Sequence, residues 1–173
     1  VALILGTGFE PLEAVAPCDI LRRGGIEVCC ASVGERLVEA GHGIRIEADC
    51  TVAELDAEKL DMIVLPGGLG GVQSILGSEE TLELIRRVYD EGKFVAAICA
   101  APSILAKLGI TDGRKATCYP GFEPKMGSAV MQSCGAVRDG TVITGRAAGS
   151  SEEFGLLLLE ALKCGDGGQA HQS

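Results

Sequence analysis

A cysteine stands directly after one of the most apolar runs in the chain. Residues 94–98 read F-V-A-A-I, Cys99 follows, and Ala100, Ala101 and Pro102 come next. Small residues around Cys99 suit a sharp strand-to-helix turn, which leaves little room for side chains. A thiol on such a turn faces the positive end of the next helix, which would lower its pKa and favour the nucleophilic thiolate. The pattern predicts a nucleophile, with a buried thiol that only fills space as the alternative.

Two acids, Glu10 and Glu13, stand at the start of the first predicted helix. Acids are favoured at helix N-termini, so either could simply complement the helix dipole. A glutamate drawn into an apolar site behaves differently, because burial raises its pKa and lets it move protons near neutral pH. Both interpretations stay open from these residues alone.

The glycine-rich segment P-G-G-L-G-G occupies residues 66–71, directly after the apolar run M-I-V-L. It lacks both G-x-G-x-x-G and the Lys-Ser/Thr pair of a P-loop, so a nucleotide site is disfavoured. The backbone N–H groups of Gly67 and Gly68 could instead stabilise a developing oxyanion. A plain strand-to-helix turn is the alternative.

The elements that must position these residues alternate along the chain. Apolar runs at residues 1–5, 26–33, 62–65 and 94–98 are predicted to be strands buried on both faces. Helical segments are predicted at residues 11–23, 78–91 and 100–108. This alternation indicates an α/β fold, a flavodoxin-like three-layer sandwich in which helices cover both faces of a mostly parallel sheet. Sites in such folds lie beyond the carboxyl ends of the strands, where residues 6–10, 66–71 and Cys99 would meet.

Weaker local signals complete the predicted architecture. One or two short strands are expected in residues 36–50, and a kink is expected at Pro17 in the first helix. Asp139-Gly140 predicts a hairpin turn, and S-S-E-E at 150–153 has the spacing of a capping box that opens the last helix. Residues 1–164 are predicted to form a single domain, and the polar, glycine-rich residues 165–173 a frayed tail.

The composition excludes several classes of partner. The 173-residue chain is 47% hydrophobic and 23% charged, with a formal net charge of −9, which is typical of a globular protein that repels nucleic acid and anionic membranes. Aromatic residues make up only 3%, which argues against a platform for stacking bases. No apolar stretch approaches the roughly 20 residues that cross a bilayer. We therefore expect neither a nucleic-acid nor a membrane partner.

The cysteines indicate thiols rather than a metal site or a disulfide framework. The chain has eight cysteines, none with C-x-x-C spacing, and its two histidines, His42 and His171, lie far from any cluster of cysteines in sequence. No metal is predicted, although ligands that the fold brings together stay possible. A domain of this size needs no staples, so reduced thiols in a reducing compartment, the cytoplasm, are expected. The N-terminal run V-A-L-I-L lacks the basic lead of a signal peptide, and because the chain starts at Val1 a removed leader stays open.

Five segments together carry a resemblance to a known family. They are F-E-P-L-E-A-V at 9–15, D-I-L-R-R-G-G-I-E-V at 19–28, I-V-L-P-G-G at 63–68, A-A-I-C-A-A-P at 96–102 and T-G-R-A-A-G-S-S-E-E-F at 144–154. In combination they are highly specific, and the chain resembles the DJ-1/ThiJ/PfpI superfamily over about residues 1–164, in its DJ-1-like branch.

The resemblance implies a role for each matching residue of the site. Cys99 matches the reactive, peroxide-sensitive cysteine of the nucleophile elbow, and Glu13 matches the protonated glutamate that bonds to that sulfur and transfers protons. Gly67 and Gly68 match backbone donors near the sulfur, and together with Ala100 they are expected to bind the substrate and its oxyanion. The implied fold is the flavodoxin-like sandwich, and no cofactor is implied.

The same resemblance implies a homodimer and exposes two departures from relatives. Arg23 and His42 fall where the family places basic side chains at the dimer interface near the site. Residue 100 is alanine where the protease branch has a histidine, so acyl transfer by a Cys–His pair lacks its base. Tyr119 stands where animal members carry a histidine, and it can donate a hydrogen bond to substrate but is a poor base at neutral pH.

Two functions are open from the sequence. The family implies a cofactor-independent glyoxalase or deglycase that acts on a small dicarbonyl, methylglyoxal or glyoxal, or on its adducts. The alternative is a redox-sensing stress protein or chaperone whose Cys99 is oxidised to sulfinic acid with little turnover. Cys50, Cys118 and Cys134 are interpreted as packing or surface thiols.

Overall fold

The computed structural model describes residues 1–164, which fold as eleven strands and five α-helices joined by short 3-10 turns; the tail predicted for residues 165–173 lies outside them. The strands are β1 (Ala2–Leu5), β2 (Cys29–Ser32), β3 (Leu37–Glu39), β4 (Arg45–Glu47), β5 (Cys50–Thr51), β6 (Met62–Leu65), β7 (Phe94–Ile98), β8 (Lys115–Ala116), β9 (Val130–Met131), β10 (Ala136–Asp139) and β11 (Val142–Gly145). The helices are α1 (Pro11–Arg23), α2 (Leu69–Leu76), α3 (Glu79–Asp90), α4 (Pro102–Lys107) and α5 (Ser151–Cys164).

Seven strands form the central sheet, in the order β10-β11-β7-β6-β1-β2-β5. Every neighbouring pair is parallel except β10 and β11, which form the hairpin predicted from the turn at Asp139-Gly140. Strands β3 and β4 form a separate antiparallel hairpin within residues 36–50. The predicted α/β sandwich with a mostly parallel sheet is confirmed.

Two hydrophobic cores cover the two faces of the sheet. Leu3 and Leu5 of β1 point to the face on which Phe154 of α5 packs. The alternate residue Ile4 points to the opposite face, where Ile85 of α3 packs. This alternation is why β1, β6 and β7 read as continuous apolar runs: both sides of each strand are buried.

Helices α1 and α5 pack closely through a glycine. A Cβ at Gly155 would lie 3.2 Å from the Cα of Pro17 and 2.8 Å from the Cδ1 of Ile20. Pro17 lies inside a single helix that continues to Arg23, so the proline does not end α1. The close approach holds α1, which carries Glu13, firmly against the rest of the fold.

The structure corrects several predicted boundaries. Helix α2 begins at Leu69 inside the glycine-rich segment that was predicted to be a loop, because packing of Val72 and Ile75 outweighs the low helix propensity of glycine. Strand β2 starts three residues late, since the Ile26 N–H bonds back to the Leu21 carbonyl and completes the end of α1. Helix α5 begins at Ser151, where the sequence predicted the last helix to open, and a 3-10 turn precedes it. Within residues 1–164, no helix is long and apolar enough to cross a membrane.

Candidate active site

Cys99 sits on a strained turn directly after β7. Its φ is +68°, in the left-handed region that non-glycine residues rarely adopt. Its N–H donates to the Gly145 carbonyl at 2.9 Å, and its carbonyl accepts from the Tyr119 N–H at 2.7 Å. These two bonds, from the end of β11 and from the segment after β8, hold a conformation that costs of order 1–3 kcal/mol.

Glu13 lies beside the sulfur and is almost fully buried, with 1% of its surface exposed. The Gly67 N–H donates to its Oε1 at 2.9 Å, and the Cys99 thiol is hydrogen-bonded to the same carboxyl. Burial raises the pKa of Glu13 to about 7, although these two hydrogen bonds act in the opposite direction. The carboxyl can therefore gain or lose a proton near neutral pH.

The Cys99 thiol is the opposite of the low-pKa thiolate that the sequence predicted. Burial raises its pKa to about 12, and the charge of Glu13 and the hydrogen bond to it act in the same direction. The expected help from the helix dipole is weak, because α4 begins only at Pro102 and is six residues long. The Ala100 N–H alone lowers the pKa. Cys99 therefore carries a thiol proton, with the Glu13 carboxylate beside it as the acceptor.

Two glycines of the 66–71 segment, Gly67 and Gly68, allow the close approach of three chain segments. A Cβ at Gly67 would lie 2.5 Å from Glu13 Oε1 and 2.8 Å from Cys99 Cβ. Gly68 has φ +89°, and a Cβ there would lie 2.6 Å from the Gly8 carbonyl oxygen. The Gly67 N–H, expected to face a substrate oxyanion, is instead bonded to Glu13. In this state the glycine positions the carboxyl rather than the substrate.

Glu10 contacts three different parts of the chain beside the site. Its side chain caps α1 by accepting from the Leu12 N–H at 3.1 Å, and its own N–H donates to the Gly67 carbonyl at 3.0 Å. His42, on the turn of the β3–β4 hairpin, places Nε2 3.5 Å from Glu10 Oε1. The acid therefore connects the hairpin, α1 and the glycine segment.

The remaining predicted residues take different places. Tyr119 is about half exposed, and its backbone N–H donates to the Cys99 carbonyl. Arg23 lies ten residues beyond Glu13 on α1, about 15 Å away along a helix that rises 1.5 Å per residue. There it pairs with Asp19 at 3.0 Å, so within one chain it is not near the site.

One contributor, the end of β11, received no role from sequence reasoning. Gly145 accepts from the Cys99 N–H, and Thr144 Oγ1 accepts from the Thr117 N–H at 2.9 Å. A Cβ at Gly145 would lie 2.9 Å from a side-chain carbon of Ile98. A glycine that ends a buried strand was the available signal, and it marks a close backbone approach.

The site lies at the strand ends of an α/β sandwich. It combines a cysteine on a strained elbow with a buried glutamate that can carry a proton. This combination defines a thiol-dependent class of site. Residues 1–161 match the DJ-1/PfpI family. The chain belongs to this family, in its DJ-1 branch.

Similar proteins extend over nearly the whole chain. Protein dj-1beta of Drosophila melanogaster is 37% identical over 163 residues, which cover 92% of this chain and 87% of the fly protein. The crystal structure of Drosophila melanogaster DJ-1beta aligns with a TM-score of 0.87 at 38% identity, covering 93% of this chain and 88% of the other. A protein of Pyrococcus horikoshii named as a deglycase is 34% identical over 148 residues, covering 84% of this chain and 89% of its own.

Proposed function

We propose that this protein is a cofactor-independent glyoxalase or deglycase, with Cys99 as the nucleophile and Glu13 as the proton carrier. The substrate would be a small dicarbonyl such as methylglyoxal or glyoxal, or an adduct of one. The similarity to a protein named as a deglycase supports a stress-related carbonyl chemistry in general. The proposed compartment is the cytoplasm, where a reducing environment would keep Cys99 as a thiol.

The observation that carries the proposal is the contact between the Cys99 thiol and the buried Glu13 carboxyl. Glu13 is buried, hydrogen-bonded to the sulfur and fixed by the Gly67 N–H at 2.9 Å. A carboxyl with a pKa of about 7 exchanges protons efficiently at neutral pH. Because the thiol holds its proton until attack, it needs an adjacent base, and Glu13 is the carboxylate in contact with it.

The proposed reaction uses these groups in sequence. The sulfur of Cys99 bonds to the aldehyde carbon of methylglyoxal while its proton passes to Glu13. Glu13 then gives this proton to the former carbonyl oxygen, which completes a hemithioacetal and leaves Glu13 as the carboxylate. Glu13 as the carboxylate then removes the proton on the former aldehyde carbon and returns it to the neighbouring carbon through an enediol. The product is a lactoyl thioester, and water cleaves its C–S bond to release lactate and the Cys99 thiol.

The Ala100 N–H and Tyr119 have supporting roles in this scheme. The Ala100 N–H already interacts with the sulfur, which places it beside the oxygen that develops negative charge during attack. Tyr119 is half exposed, at the elbow to which its backbone is bonded, and its hydroxyl can donate to a substrate oxygen.

Lactate formation from methylglyoxal, measured without glutathione, tests the proposal. We expect lactate from the wild type and at least a hundredfold less from Cys99→Ala and from Glu13→Gln, which keeps the shape of the side chain but cannot carry the proton. Cys134→Ala is the matched control, because Cys134 is exposed. Equal lactate from wild type and Cys99→Ala would exclude Cys99 as the nucleophile.

A redox-sensing role for Cys99 is the second candidate, and one observation favours it. The sulfur is only half-buried, and it lies beside the Ala100 N–H and a protonatable carboxyl, both of which can hydrogen-bond to the oxygens of a sulfinic acid. Selective peroxide oxidation of Cys99 with no lactate formation by the wild type would favour this function over the enzyme.

We also propose that the protein acts as a homodimer. Four apolar side chains on α1 and the β3–β4 hairpin are each about half exposed: Leu12, Val15, Leu37 and Ile44. Arg23 and His42 belong to the same two elements. Sedimentation velocity should give a dimer for the wild type and a monomer for Leu12→Glu, and a wild-type monomer would contradict the proposal.

A further inference from the structure

Two cysteines face each other at the edge of the sheet, away from the elbow. The Sγ atoms of Cys29 and Cys50 lie 2.7 Å apart. Cys29 begins β2 and Cys50 begins β5, which pair in parallel with Ala31 opposite Cys50. Residues two apart on a strand point to the same side, so Cys29 and Cys50 share one face of the sheet.

We propose that Cys29 and Cys50 form a reversible dithiol–disulfide site that closes under peroxide, separate from Cys99. The sulfurs already oppose each other on adjacent strands, so bond formation requires only a small movement of two side chains. A disulfide places its sulfurs about 2.05 Å apart. Both side chains are half-buried, which leaves a small oxidant access to them.

The pairing is selective because the neighbouring cysteine points the other way. Cys30 follows Cys29 in the same strand, so its side chain projects to the opposite face. There its sulfur lies 3.8 Å from that of Cys18 on α1. The same alternation keeps Cys29 and Cys30 from bonding to each other, so Cys50 is the partner that the strand geometry leaves for Cys29.

A metal explains the pair less well. Structural zinc sites use four ligands and catalytic sites at least three. Within residues 1–164, no three side chains of His, Cys, Asp or Glu are grouped closely enough to hold a metal ion. Two thiols in contact, with no third ligand among the described residues, favour covalent pairing.

The chemistry of closure balances with one molecule of hydroperoxide. One thiolate attacks the peroxide oxygen, the O–O bond breaks, and a sulfenic acid and water form after proton uptake. The second thiol then attacks the sulfenic sulfur, the S–O bond breaks, and a second water leaves as the disulfide forms. A thiol reductant reverses the change.

Closure would fasten the outermost strand of the sheet. Strand β5 is two residues long and is bonded on one side only, to β2. The bridge would close a loop over 21 positions of sequence, and this loop contains the whole β3–β4 hairpin. That hairpin accepts a hydrogen bond from the Gly8 N–H through the Glu39 carbonyl at 2.8 Å. The fastened segment therefore adjoins the loop that leads into the active site.

Non-reducing peptide mapping tests the proposal on the full chain. Reduced wild type is treated with graded hydrogen peroxide, free thiols are alkylated, and the protein is cut with trypsin. Cys29 then falls in the peptide 24–36 and Cys50 in the peptide 46–59. We expect a cross-linked pair two hydrogens lighter than the sum of the two peptides, which reductant releases. The Cys30→Ser variant should keep the link, because it removes the other cysteine of the first peptide, and Cys50→Ser should lose it.

Thermal unfolding gives the second measurement. Closing a loop of this length should raise Tm by roughly 5–10 °C, and the rise should vanish in Cys50→Ser and after reduction. The proposal is overturned if both thiols remain alkylatable, or oxidise singly, at every peroxide concentration that leaves the protein folded. A link between separate molecules, or one that survives in Cys50→Ser, would also overturn it. A bridge that forms without raising Tm would refute the fastening of the edge.

Discussion

The chain places one cysteine at the centre of its sheet and two at its edge, and their neighbours decide their chemistry. Cys99 follows the buried central strand β7, on a turn with φ +68°, with a buried carboxyl as partner. Cys29 and Cys50 lie in ordinary extended strands, with each other as partners. A thiol beside a carboxyl can pass a proton and attack a substrate, whereas a thiol beside a thiol can close a bond. Position in the sheet therefore separates the proposed catalytic thiol from the proposed reversible crosslink.

The largest expected effect is the loss of folding stability when the buried Glu13, beside the centre of the sheet, ionises. The pKa of Glu13 is raised from an ordinary 4.5 to about 7, so the folded state binds this proton more tightly than the unfolded state. Stability from this group is full below pH 4.5 and is lost as the pH rises through about 7, by about 3 kcal/mol. Glu13→Gln removes this loss.

Urea unfolding of wild type and Glu13→Gln at pH 5 and pH 8 measures this difference. The variant should be the more stable protein at pH 8, and its advantage should shrink by about 2.5 kcal/mol at pH 5. An advantage that does not change with pH would mean that Glu13 is not the group with the raised pKa.

The next prediction compares the stability cost of replacing a glycine by alanine in the two regions. Gly67→Ala should destabilise the protein by about 2 kcal/mol and reduce lactate formation, because the added methyl group would lie 2.5 Å from Glu13 Oε1. Gly34 follows β2, the strand next to the edge strand β5, and a Cβ there meets nothing within 4 Å. Gly34→Ala should therefore change stability by less than about 0.5 kcal/mol. Equal costs at both positions, measured by urea unfolding, would contradict a tightly packed centre beside an open edge.

The smallest expected effect is the difference in stability between a glycine and an alanine variant, which should have opposite signs at positions 99 and 50. At position 99 the backbone is left-handed, so Cys99→Gly should be about 1 kcal/mol more stable than Cys99→Ala. At position 50 the backbone is a strand, so Cys50→Gly should be up to about 1 kcal/mol less stable than Cys50→Ala. Thermal unfolding of the four variants checks the signs, and the same sign at both positions would show that the elbow is not strained.

Much of the fold was predictable because its signals are local. The strands β1, β6 and β7 are buried on both faces and therefore read as unbroken apolar runs. Helix α3 has a serine cap at Ser78, acids in its first turn and a regular apolar face. Helix α2 escaped prediction because four of the six residues 66–71 around its start are glycine, and only its packing shows that it forms.

The sequence alone determined the order of the elements and the meeting of Cys99 with the glycine segment and the start of α1, since parallel strands bring their carboxyl ends to one edge. Tertiary structure decided the chemistry of the pairs. Glu13 and Gly67 are 54 positions apart and Cys29 and Cys50 are 21 apart, and no local pattern encodes such contacts. The direction of the pKa shift at Cys99 was also decided there, because burial and a neighbouring carboxylate outweigh the dipole of a short helix.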